Sequence, residues 1–141
     1  MNKIFQVVAY IAIGLAIGLM LLFGFWMLYP YKPIVFNNVP FPVNKDSYKP
    51  NDILIYSVDY CKNTDLNPIV TRYFVDGIIY MTSSNPAVPK PKGCGKLDVQ
   101  TAIPSSMTKG NYLLKITYEY QMNPIRKVSA TAVTERFDVT E

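Results

Sequence analysis

Tyr112-Leu113-Leu114-Lys115-Ile116-Thr117-Tyr118-Glu119-Tyr120-Gln121 is the stretch that decides the fold of this chain. Tyr112, Leu114, Ile116, Tyr118 and Tyr120 fall on one side of an extended backbone, and Lys115, Thr117, Glu119 and Gln121 fall on the other. Side chains alternate with period two along a strand. The pattern therefore predicts a strand with one face in a core and the other toward water. Asn123-Pro124 then turns the chain, and a last long strand is expected from about Arg126 to Val139. Its inward set changes phase between Ala130/Ala132 and Phe137/Val139, which predicts a bulge.

Working outward, the same period recurs. In the strand Ile53 to Tyr60, Leu54, Tyr56, Val58 and Tyr60 share one face. The runs Ile69 to Val75 and Ile78 to Met81 flank Asp76-Gly77, a strong short-range signal for a two-residue hairpin loop. Residues 82 to 96 read as a loop, after which Leu97, Val99 and Ile103 alternate again. Eleven Tyr and seven Phe against one Trp favour pleated, half-buried surfaces, and eleven Pro argue against long helices here. The expectation is an all-β antiparallel β-sandwich of about six or seven strands over residues 51–141. Residues 30–50, punctuated by Pro30, Pro33, Pro40, Pro42 and Pro50, are expected to form a tether or an edge strand.

Two motifs carry a family resemblance. Tyr48-Lys49-Pro50-Asn51-Asp52-Ile53 resembles the lead-in to an early strand of immunoglobulin-like or fibronectin type III-like domains. Lys109-Gly110-Asn111-Tyr112 resembles the Gly-x-Tyr corner that opens their penultimate strand. The likeness spans roughly residues 34 to 139 and implies an immunoglobulin-like sandwich. Two positions depart from it: the one Trp, Trp26, lies outside the region, and residue 114, where a second Cys would follow the corner Tyr, is Leu.

The N-terminal 29 residues are of another kind. From Val7 to Leu28 no residue is charged, and the run is rich in Ile, Leu, Ala, Gly, Met and Phe. A helix needs about 20 such residues to cross the hydrocarbon core. Trp26, Tyr29 and Tyr31 sit where amphipathic rings prefer the headgroup level, and Pro30 and Pro33 end the helix. A cleaved signal peptide is the weaker reading, because its apolar core spans only about 7–15 residues and no small-x-small site follows Trp26. Residues 1–29 are thus expected to be one transmembrane helix. Lys3 and the amino terminus lean the orientation toward N-terminus in the cytoplasm and C-terminal domain periplasmic or extracellular. Gly14-Leu15-Ala16-Ile17-Gly18 is a small-xxx-small motif, which marks Gly14 and Gly18 as candidate helix-association residues.

Chemistry is sparse. The chain holds no His, which removes the commonest general base and metal ligand. Its ten carboxylates fall mostly at strand ends, turns and outward positions. There is no Gly-rich phosphate loop and no nucleophile elbow, so neither an enzyme nor a cofactor or metal is expected. The net charge of +4 is scattered, unlike the dense basic stripe of a nucleic-acid binder. Two Cys in a domain held outside the cytoplasm predict a Cys61–Cys94 disulfide. Closing that loop would stabilise by up to about 3.8 kcal/mol in the chain-entropy account. The run 90–96 makes Lys90, Lys92 and Lys96 a candidate anionic-contact loop, against the simpler reading of a solvated loop.

The expected function is a non-catalytic, single-pass membrane-anchored interaction or structural module displayed outside the cytoplasm. Its partners would be the lipid bilayer and a protein partner or further copies of itself. One alternative is a carbohydrate or envelope-polymer binding module built on the Tyr excess. Another is a bacteriophage-encoded membrane or virion protein, favoured by the lack of any Asn-x-Ser/Thr acceptor.

Overall fold

A computed structural model describes residues 3–82, 85–86 and 92–140. The chain divides into two units: residues 1–31 with the tip 123–126, and the remainder from Lys32 onward. The first unit is dominated by α1, Lys3–Leu28, a helix of 26 residues in which no side chain is buried. Its Leu, Ile and Phe side chains stay exposed along the whole length. The backbone of a helix satisfies its own hydrogen bonds, so such a segment needs no neighbour to exist.

The second unit is built from strands. In chain order they are β1 (Ile34–Phe36), β2 (Ser47–Tyr48), β3 (Ile53–Lys62), β4 (Ile69–Asp76), β5 (Ile78–Met81), β6 (Asn85–Pro86), β7 (Gly93–Ala102), β8 (Gly110–Asn123), β9 (Arg126–Val133) and β10 (Phe137–Val139). They form two sheets and no closed barrel. One sheet has the order β1-β3-β7. The other runs β2-β10-β8-β4-β5, with β6 on β4 and β9 on β8. Both sheets turn apolar faces into one core. Leu54, Tyr56 and Val58 of β3 meet Val70 and Phe74 of β4 and Leu114 and Ile116 of β8. Burying each large apolar side chain contributes roughly 1.5–3 kcal/mol. This is the alternation that the Tyr112–Tyr120 stretch predicts, and it holds along β8, where Tyr112, Leu114, Ile116 and Tyr120 are buried.

Four local details differ from the expectations or refine them. First, the sheets are not purely antiparallel. β2 runs parallel to β10, with Ser47 opposite Asp138 and Tyr48 opposite Val139, and Phe41 makes a parallel bridge to Thr134. The segment 41–48 travels in the same direction as the C-terminal strand it flanks. Second, residues 30–50 supply more than a spacer. Ile34–Phe36 forms the edge strand β1 on β3, while Phe41 and Tyr48 are fully buried in the core, so the folded unit starts at Lys32. The Tyr48 hydroxyl donates to the side-chain oxygen of Asn44, which leaves no unmet buried polar group there. Third, the β4–β5 register sets Asp76 opposite Ile78, so Gly77 alone lies between paired residues at φ +65°, a left-handed conformation that glycine adopts freely.

Fourth, the phase change in the last strand has a mechanism. Ala132 and Thr134 are buried, Glu135 and Arg136 are both exposed, and Phe137 and Val139 are buried again. The Thr134 hydroxyl accepts the Leu114 N–H at 3.0 Å and donates to the Glu135 carbonyl at 2.8 Å. A side chain thus stands in for the ladder where the two inward sets switch.

Candidate functional site

The two sheets do not close completely on each other. Between them lies a cleft of about 340 Å³. Val58 and Tyr60 of β3 and Leu97 and Val99 of β7 form one wall; Val70 and Arg72 of β4 and Tyr118 and Tyr120 of β8 form the other. Ile34 and Phe36 of the edge strand, Lys62 and Pro68, and the exposed Asp98 and Gln100 of β7 complete the lining among the described residues. Small-molecule sites of about 300–1,000 Å³ are typically apolar with a few convergent polar groups, and this lining has that composition.

Its polar groups are unusual for the interior of a small domain. Val70, Arg72 and Phe74 are alternate residues of one strand, so Arg72 occupies an inward position between two buried apolar neighbours. Its Nε donates to the hydroxyl of the fully buried Tyr56 at 3.2 Å. Among the described residues no carboxylate pairs with Arg72. Lys62, at the end of β3, is 4% exposed and has a partner of its own. Burial pushes the Tyr118 phenol well above its usual range, opposed in part by the nearby Arg72 charge. Burial likewise pushes Tyr120 up to about 12, reinforced by the adjacent Tyr60. Both phenols therefore remain protonated donors at any physiological pH. Among the described residues nothing hydrogen-bonds the Tyr118 hydroxyl, whose ring packs 5.1 Å from that of Phe36.

No family model and no curated protein matches this chain. Among solved structures, the sporulation control protein Spo0M from Bacillus subtilis is similar over 79% of this chain, at 10% identity and a TM-score of 0.46. The match covers 51% of that structure, so this chain spans about half its length. A likeness of this degree carries no functional argument.

The residues singled out from the sequence lie elsewhere. Cys61 and Cys94 form a disulfide, and they are directly opposite each other in the β3–β7 ladder. The bond therefore joins two neighbouring strands of one sheet and does not cross the core. Gly14 and Gly18 lie on the exposed surface of α1, and a Cβ at either would meet nothing within 4 Å. Of the basic run, Lys90 lies outside the described residues and Lys92 is exposed. Lys96 is not in a loop: β7 begins at Gly93, and Lys96 stands opposite Asp59, with 3.6 Å between the charged groups. The Tyr excess goes largely into the core, where Tyr48, Tyr56, Tyr112 and Tyr120 are at most 2% exposed. Arg72, Lys62 and Tyr118 were the residues that sequence reasoning missed. The available signal was a cation at an inward position between Val70 and Phe74, visible once that strand is given its period.

Proposed function

We propose that this chain is a non-catalytic, single-pass membrane-anchored interaction module whose two-sheet unit stands outside the cytoplasm. The observation that carries the reading is α1, a 26-residue apolar helix long enough to cross a membrane and with none of its side chains buried against protein. Leaving that much apolar surface in water would cost far more than a domain's net stability, and lipid removes the cost. The disulfide supports an oxidising compartment for the strand unit. The absence of Asn-x-Ser/Thr acceptors favours a bacterial or bacteriophage source.

We read the strand unit as a variant immunoglobulin-like sandwich. The partition of strands supports this: β3 and β7 in one sheet correspond to B and E, while β4, β8 and β10 in the other correspond to C, F and G, with β5 as an added neighbour of C. The Tyr112 hydroxyl donates to the backbone carbonyl of Thr108 at 2.9 Å, the bond that defines the tyrosine corner of such domains. Two features depart from the antibody pattern: the disulfide lies within one sheet, and Leu114 occupies the position of the second Cys.

Fractionation tests the anchoring. The full-length protein is expected to stay with membranes through an alkaline carbonate wash, with its strand unit accessible to protease added from outside the cell. A product that is soluble without detergent, or a mature form starting near Tyr31, would remove the anchor. Thiols at 61 and 94 that react with a cytosolic alkylating reagent would place the strand unit on the other side.

A further inference from the structure

We propose that the cleft between the two sheets binds a compact amphiphilic monocarboxylate, with its apolar body against Val58 and Val99 and its carboxylate on Arg72. Three observations point there. The first is the cleft itself, about 340 Å³ of space where a small two-sheet domain would be expected to interdigitate side chains. The second is Arg72. Arg72 is half-buried on the inward face of a sheet, where an anion is a better partner for a guanidinium than water-poor apolar surface, and its side-chain hydrogen-bond partner among the described residues is one neutral phenol. The fork of N–H donors beyond Nε suits a carboxylate in two-point contact. The third is the Tyr118 hydroxyl, a protonated donor that lines the same cleft without a hydrogen-bond partner among the described residues. Lys62 adds positive charge at the lining while keeping its own partner.

The charge balance of the cleft restricts the ligand further. Its one carboxylate, Asp98, bonds to the Ser57 hydroxyl and lies on the exposed face of β7. The remaining polar groups among the described residues are cations, phenols and the exposed neutral amide of Gln100, so a cationic or zwitterionic ligand would meet no counter-charge inside. An uncharged apolar molecule would fill the space and leave Arg72 unmet. A ligand with one acidic head and an apolar body of about ten carbon atoms satisfies both walls, within the volume typical of small sites. No bond is made or broken in this event.

The full chain in lipid nanodiscs, titrated with 4-phenylbutyrate and followed by saturation-transfer NMR, tests the proposal, with empty nanodiscs subtracted. Saturable binding to the protein is expected, with 4-phenylbutanol about tenfold weaker or more because it lacks the charge-assisted contact. Arg72→Gln should weaken the acid by a similar factor and leave the alcohol unchanged. Val99→Trp should weaken both by filling the cleft, whereas Lys92→Gln at an exposed site should change neither. No saturable binding above the empty discs overturns the proposal. So does equal binding of acid and alcohol to the unaltered protein, a comparison that stands even if Arg72→Gln fails to fold.

Discussion

The N-terminal helix and the two-sheet unit satisfy the same requirement by opposite means. In α1 every backbone group beyond the ends finds its partner four residues away, and the side chains project outward with none buried. In the strand unit the partners are distant: Cys61 faces Cys94, Val58 faces Leu97, and Tyr48 faces Val139 at the other end of the chain. The first kind of element is complete in itself and looks to its solvent for stability. The second exists only when remote segments arrive together, and its stability is concentrated where they meet. A change of equal chemical size should therefore have very different consequences in the two regions.

Leu→Ala makes the sharpest contrast. Leu114 is fully buried between the sheets, and Leu114→Ala should destabilise the strand unit by about 2–5 kcal/mol through lost burial and a residual cavity. Leu15 is 65% exposed on α1, and Leu15→Ala should leave the same denaturant midpoint unmoved. A matching loss from both would mean that α1 and the strand unit do not differ in this way.

The disulfide comes next. Cys61 and Cys94 are 33 positions apart, and removing the bond in Cys61→Ser with Cys94→Ser should cost roughly 2–4 kcal/mol. Thermal unfolding with and without reductant measures it. Because the pair sits within one ladder, the loss should concentrate in β3 and β7, and hydrogen exchange should rise there before it rises in β8.

A smaller effect depends on pH. Folding holds the Tyr120 proton, since burial raises its phenol to about 12, whereas the unfolded chain releases that proton near pH 10. The stabilisation is complete below about pH 10 and is lost as the pH climbs through about 12. Unfolding free energy should thus fall across that window, by on the order of 2 kcal/mol from this group. Tyr120→Phe should flatten the decline. Tyr118 is raised by the same cause, so Tyr118→Phe should flatten it in the same sense. An alkaline profile indifferent to both substitutions would mean that these phenols are hydrated.

The smallest effect on the strand unit should come from Gly14→Ile with Gly18→Ile. Both positions have open space around them, so the substitutions should not move the unfolding midpoint. If the helix self-associates through these glycines, a dimer resolved by cross-linking in membranes should disappear. A dimer that persists removes them from the interface.

Much of this was legible in residue order, for reasons that differ by region. The helix was readable because an unbroken apolar run is a local property. The faces of β3 and β8 were readable because period two is local as well, and Leu54, Tyr56, Leu114 and Ile116 lie inward as the pattern requires. The bulge near Thr134 was visible as a phase change, although its hydrogen bonds were not. The cleft was hidden, because Arg72 reads as one more cation until its neighbours across the gap are known.

Amino-acid order by itself determined where the chain is apolar throughout, where it alternates, and which cysteines were there to pair. Only the tertiary structure decided that Lys96 belongs to a strand, that Phe41 and Tyr48 enter the core from a Pro-rich segment, and that Arg72 and Tyr118 face one space. Periodicity states which face of a strand is buried. It carries no information about which strand lies opposite, because that choice is made by packing between segments far apart in the chain.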